Sequence, residues 1–352
     1  MNRRDFLMTG AIAGGASLGG VLAAAQDKPG GKTMQTGTGN AKPQRPAGPI
    51  RIVMGGYGPP NTGFSLALKR IGDQLTAKFG KTIDVKYVYN IMDLGYKGED
   101  ILWLVESGVL TLGYQSSSYM TDRVPELGVA DLPFIFASQT QARAAMDGEF
   151  GRVLTASIEE KMDYRILGYF ENGFRQISNR VRPVRVPADL NGMTIRVLPS
   201  KIQARTFELL GAKPMIMDLT DAIARVKAGT IDAQENPFAN TVTYGVHKFH
   251  RYHTVSNHFY LSRPIFFHRA SFDGWPKDLQ TAMAQAVREA VAWQRDSHVK
   301  EEEDAAVVIK QAGGEIIELT PPQQRAFVDA VKPLHREARS MYDPKLLALV
   351  GL

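Results

Sequence analysis

The sequence predicts an α/β fold of two lobes, each a mixed, mainly parallel sheet flanked by helices. Three observations point to it. β-branched runs alternate with stretches of helical spacing in the order strand, helix, strand, helix, strand, and that style recurs mid-chain. The 352 residues suggest two cores rather than one. Between Pro276 and Ala312 there is no further proline and no glycine. One helix of roughly 50 Å is therefore expected there, which suits a span across two lobes or a coiled-coil arm.

The elements follow in order. "NRRDFLM" sets Arg3 and Arg4 ahead of Phe6 and Leu7, and a Gly/Ala-rich apolar stretch ends in small residues near Ala25. Residues 1–26 read as a twin-arginine export signal, since the stretch is too short and weakly apolar for an anchor. The mature chain is then expected in the periplasm. Residues 27–48, rich in Gly, Pro, Thr and Lys, read as a disordered tether. "PIRIVMGGY" (49–57) is a first strand, "GYGPPNTGF" (56–64) a sharp loop, and Phe64 to Lys78 a helix. "TIDVKYVYN" (82–90) alternates as a second strand. Further on, "YRILGYFEN" (164–172) and "MTIRVLP" (193–199) read as strands, "KIQARTFELLGA" (201–212) and Asp218 to Ala228 as helices. "YHTVSNHFYLSRPIFF" gives strands, and the C-terminal region a strand and a capped helix.

Composition excludes much. There is no cysteine, hence no disulfide, thiolate metal site, iron–sulfur cluster or cysteine nucleophile. The net charge of +6 is scattered and carries no nucleic-acid fingerprint. No nucleophile elbow, phosphate loop or zinc motif is present, so no catalytic residue and no cofactor is expected. The serines of "YQSSSYM" read as hydrogen-bond donors. His247, His250, His253 and His258 have no carboxylate among them and spacings that suit no single helix face, so they read as surface or packing residues rather than a metal site. Glu301, Glu302, Glu303 and Asp304 read as a solvated helix face.

The arginines are different. Arg196 sits inside the apolar strand "MTIRVL", where an unpaired guanidinium is costly and calls for a partner. Arg175 follows a strand at its carboxyl end, where α/β proteins gather ligands. A guanidinium grips a carboxylate through two parallel hydrogen bonds. Asn236, after the strand "TIDAQ", adds an amide donor. Arg180 and Arg182 are assigned to solvent or to a turn.

"GFRQISNRVRPVRVPADLNGMTIRV", "LGAKPMIM", "GTIDAQENP", "SNHFYLSRPIFF" and "VPELGVADLPFIF" together resemble the TRAP transporter substrate-binding proteins, the DctP-type solute receptors, over about residues 49 to 345. The resemblance implies the two-lobed periplasmic-binding-protein fold with a long helix spanning both lobes. It implies lobe I as 49–173 plus 262–300 and lobe II as 174–261 plus 301–352. It implies an organic-acid ligand held by Arg196 with Arg175 and Asn236, and the small and large membrane permease subunits as partners. Tyr57, Asn61, Gln115, Ser116, Phe170, Glu171, Met217 and Leu219 are further candidate binding positions. Tyr57, Phe64, Tyr114, Tyr119 and Phe170 hint at an aromatic lining. Two features depart from the pattern. "QSSS" lacks an acidic residue, against an amine at the ligand's far end. Arg263 suits either a diacid or a hinge salt bridge. The rival readings are an ABC-type receptor or sensor subunit, and a cofactor-bearing periplasmic enzyme.

Overall fold

Alternation in "IRIVMG" turns Ile52 and Met54 into a core and forms β1 (Ile50–Gly55). The computed structural model describes residues 48–352; the expected export signal and all but the last residue of the tether lie outside them. After β1 come α1 (Gly63–Phe79), β2 (Ile83–Val88), α2 (Ile101–Glu106), β3 (Leu112–Tyr114), α3 (Gln139–Asp147), α4 (Glu149–Lys161) and β4 (Tyr164–Phe174). Then follow β5 (Gln176–Asn179), β6 (Thr194–Val197), α5 (Lys201–Leu209), β7 (Lys213–Ile216), α6 (Leu219–Lys227), β8 (Ala233–Asn236), α7 (Phe238–Thr243) and β9 (Tyr252–Val255). The chain closes with β10 (Tyr260–His268), α8 (Arg269–Asp273), α9 (Lys277–Gln311), β11 (Glu315–Glu318), α10 (Pro321–Met341) and α11 (Pro344–Ala348).

Two sheets result, in the orders β2-β1-β3-β10-β4 and β11-β9-β5-β8-β6-β7. In the first only β10 runs against its neighbours; in the second only β5 does. Each sheet is thus mixed but mainly parallel in strand direction, and each covers its own apolar cluster. The chain crosses from the first sheet to the second between Phe174 and Gln176 and returns between Val255 and Tyr260. The crossings are tied together, since Arg175 N–H donates to Phe259 C=O at 2.9 Å.

α9 makes a third link. Its first half buries Leu279, Met283 and Val287 in the first cluster, while Ala305 and Ile309 pack on Phe238. Its 35 residues run unbroken, as the lack of Pro and Gly predicts. The acidic run on this helix is not the solvated face expected. Glu301 accepts the Gly63 N–H at 2.6 Å, and Glu302 accepts the N–H groups of Phe238 and Ala239 at 3.0 and 2.8 Å. Those amides start α1 and α7 and have no intrahelical acceptor, so carboxylates opposite them are drawn inward. Glu303 and Asp304 alone stay exposed. The end of α10 and α11 return to the first cluster through Leu334, Ala338, Leu346 and Leu347. Among the described residues, no helix is long and apolar enough to cross a membrane.

Candidate functional site

β6 places Ile195 and Val197 in the second core, which turns Arg196 to the opposite face. Its side chain is 2 % exposed and lines a narrow chamber between the two sheets. Nε donates to Met217 C=O at 3.2 Å and Nη2 to the Tyr119 hydroxyl at 3.0 Å. No carboxylate among the described residues pairs with it. The Tyr119 oxygen also accepts the Leu219 N–H at 3.1 Å. Burial, against the pull of Arg196, raises the pKa of that phenol, so it keeps a proton to donate.

Arg175 reaches the same chamber in a different state. Its Nε and Nη2 grip the carboxylate of Glu235, and Nη2 also donates to Glu235 C=O at 2.7 Å. Both side chains are buried. Burial pushes the Glu235 carboxyl upward, but Arg175 and then His258 outweigh it and hold it below the usual range. The charge of Arg175 is thereby compensated inside the protein, which the sequence reading of two free cations did not anticipate. Asn236 stands beside them on β8, its Nδ2 donating to Gln234 Oε1 at 3.0 Å.

Of the other candidates, Tyr57, Gln115, Ser116 and Leu219 line the chamber. Gln115 is held by backbone, donating to Gly98 C=O at 2.7 Å and accepting from Ser116 N–H at 2.8 Å. Asn61 lines a wider outer hollow instead. Phe170 is buried behind the lining, edge-on to Phe64 and Tyr114. Glu171 turns away to Arg143, 2.5 Å from its Nε, and to Gln139. Met217 takes part through its carbonyl, while its side chain packs on Val226 and its neighbours. The four histidines are all buried, so packing is their role rather than surface exposure. Burial holds His250 near 3 and His253 near 4, leaving both neutral. No grouping of three metal-ligating side chains occurs among the described residues.

The chamber is also lined by Asn172, Leu198, Asn240 and Tyr244, which the sequence reading did not single out, and by Arg263, which it left between two roles. Arg263 is 4 % exposed, sits with its guanidinium 4.1 Å from the Phe64 ring centre and 5.0 Å from that of Tyr57, and forms no ion pair among the described residues. The hinge salt bridge entertained for it is absent there, and its Nε makes no hydrogen bond. Asn172 is wholly buried, and neither its Oδ1 nor its Nδ2 has a partner.

The halves meet over the chamber. Asp218 caps α6 by accepting from Thr220 N–H and also accepts the Glu99 N–H from the other side at 3.0 Å. The arrangement offers cations and amides to a small enclosed anion, and no nucleophile–base pair.

Comparison with known proteins agrees. The profile of bacterial extracellular solute-binding protein, family 7 (DctP) matches residues 55–341. The chain is 30% identical over 238 residues to the 2,3-diketo-L-gulonate-binding periplasmic protein YiaO of Escherichia coli K12, covering 68% of this chain and 71% of that one. It is 29% identical over 228 residues to the C4-dicarboxylate-binding periplasmic protein DctP of Rhodobacter capsulatus, covering 64% and 68%. The structure of the sugar acid binding protein DctPAm of Advenella mimigardefordensis, in complex with galactonate, matches with a TM-score of 0.82 at 24% identity, covering 86% of this chain and 97% of that one. The last likeness concerns the fold. By its family match and its fold, the chain belongs to bacterial extracellular solute-binding protein family 7, the DctP family, whose members bind solutes and do not transform them.

Proposed function

We infer that this chain is a periplasmic receptor that closes on an organic acid and delivers it to the membrane subunits of a TRAP-type transporter. Arg196, with Asn236 and the free Nη1 edge of Arg175, holds the carboxylate. One observation carries the reading: a buried guanidinium facing a chamber with no carboxylate of the protein's own. Such a charge is costly until an anion meets it, and the pair strengthens as closure removes water. The named ligands of the relatives above are acids, which supports the same class here. Export by the signal over residues 1–26 would bring the receptor to the periplasm.

The test is thermal melting of protein refolded from denaturant against carboxylates and their matched amides. Ligand at about 1,000 times its Kd adds roughly 4 kcal/mol. A midpoint raised by an acid and not by its amide supports the reading. Stabilisation by the amide equal to that by the acid overturns it.

A further inference from the structure

We propose that Asp131 makes the closing of the two halves take up a proton: as a carboxylate it favours their parting, and as a carboxylic acid it lets them shut. This rests on the closing motion in the reading above and not on the identity of the ligand.

Asp131 lies in the join. Val129 and Leu132, on either side of it, belong to the first core. From the other half it is covered by α5, whose Phe207 belongs to the second core. Its Oδ1 accepts from the Ser118 hydroxyl at 2.6 Å and from Gln203 Nε2, on α5, at 3.2 Å. Gln203 also donates to Ser118 Oγ at 3.0 Å, and its Oε1 accepts the Leu198 N–H at 3.3 Å. The Ser116 hydroxyl donates to Ser118 Oγ at 3.3 Å. Ser116 follows β3 and Leu198 follows β6, and both line the chamber. The line of bonds therefore starts in one wall of the chamber and ends in the other. Asp131 is a positioning residue, which acts on the chamber through those walls.

A core that needed only an acceptor here would be served by an amide. The charge is the unusual feature. Asp131, Ser118 and Gln203 are wholly buried, and Asp131 Oδ2 has no hydrogen-bond partner. No cation among the described residues pairs with it. On α5, Lys201 faces Asp122, and Arg205 holds Glu208 and Glu337. Closer along the chain, Arg123 holds Glu106 and Lys161 holds Glu126. β8 brings a like charge, Glu235, which Arg175 compensates. From α10, His335 is bound to Pro133 C=O, and beyond its end stands the Tyr342 phenol, kept protonated by burial and by the charge of Asp131. A carboxylate buried without a cation is costly, and either water or a proton relieves it. Burial, offset only in part by bonds from Ser118, Ser200 and Gln203, lifts the carboxyl to about 6. Moving α5 away admits water and returns it towards the ordinary 3.8. The closed form thus holds a proton that the parted form releases, and a fall in pH favours closing.

Pulsed electron spin resonance on the purified protein, refolded from denaturant to free it of ligand, tests this. The chain has no cysteine, so Val109→Cys and Val181→Cys, at exposed positions in opposite halves, take the two spin labels and nothing else does. The population at the longer distance should rise at least about tenfold between about pH 4.5 and pH 8, the effect of one unit of difference in pKa between the two forms. Asp131→Asn should abolish the rise and keep the shorter distance throughout. Ser118→Ala removes the shorter of the two bonds to the ionised form, so it should move the midpoint of the rise to higher pH; it decides the matter if Asp131→Asn fails to fold. The denaturant midpoint of Asp131→Asn at about pH 8 should not fall, because the substitution removes a buried charge. A fall would mark a merely structural carboxylate and overturn the proposal. So would a single distance at every pH, or a rise that survives Asp131→Asn. So would a rise abolished instead by Glu302→Gln, at another buried carboxyl, raised to about 7. The carboxylate reading is decided separately, by melting with acids and amides, and none of these results alters it.

Discussion

Replacing Arg196 by methionine should separate folding from binding. The substitution keeps the length of the side chain and removes its charge. In the unliganded protein it deletes two hydrogen bonds, to Met217 C=O and to the Tyr119 hydroxyl. Bonds from a charged donor are worth about 1.5–3 kcal/mol each. It also removes a buried cation that no carboxylate offsets, a penalty of several kcal/mol. The two contributions oppose each other and are of similar size. Tyr119 keeps its bond from Leu219 N–H, so only the Met217 carbonyl loses its partner outright. Unfolding stability should therefore stay within about 1 kcal/mol of the native protein. Affinity for the acid should fall by about 2–5 kcal/mol, or at least about 30-fold. Denaturant unfolding without ligand and calorimetry with it measure the two quantities. A variant that loses more than about 3 kcal/mol of stability yet binds acid within twofold of native would make Arg196 a structural residue and refute the reasoning.

The mirror case is Arg175→Met, which strands Glu235 in the core and should cost about 3–5 kcal/mol of stability, much of it regained by adding Glu235→Gln; denaturant midpoints of the three variants check this. His298 is held near 4 by burial first and then by Arg263 and Arg143. The unfolded chain takes up a proton near the ordinary histidine value of 6.5 that the folded one refuses, so this contribution is intact above about 6.5 and lost as pH falls towards 4. It is worth at most about 3 kcal/mol, and His298→Gln should flatten that part of a stability–pH curve. Asp131, raised to about 6 by burial, and Glu302, raised to about 7 by burial, act with the opposite sign over an overlapping range. Gly173 has φ +84°, and a Cβ there would meet the His298 ring, so Gly173→Ala should destabilise by about 1–3 kcal/mol in thermal melting. Changing both Arg3 and Arg4 to lysine should leave the chain in the cytoplasm, as fractionation would show.

Much of this was legible in the sequence because it depends on local pattern. An apolar strand carrying one arginine marks Arg196, and a stretch free of Pro and Gly marks α9. What escaped depends on partners far along the chain. The identity of Arg175's partner turns on Glu235, 60 residues away, whose place beside it is set by β5 pairing with β8. The bulge at Asn172 exists only in the register between β4 and β10, strands that lie about ninety residues apart. Glu302 looks solvated on a helical wheel, and only the start of α7 packed against it makes it a cap. Met217 was a candidate by position alone, and what it turns to Arg196 is its carbonyl. Backbone roles leave no trace in residue type.

On the proposed function, the placement of the charges would couple ligand to closure. Arg196 belongs to one sheet and Arg263 to the other, so bringing the sheets together confines two like charges in one chamber of low dielectric. The contacts that meet over the chamber, Asp218 on Glu99 N–H and Tyr119 on Arg196, are a few hydrogen bonds of modest net value. Without an anion those bonds work against the repulsion. With one, attraction would replace the repulsion, and the same bonds would add to it. A ligand shifts a conformational equilibrium only by its difference in affinity for the two states. On the proposed function that difference would arise because each sheet holds one guanidinium, and a closed form would let a single small molecule touch both.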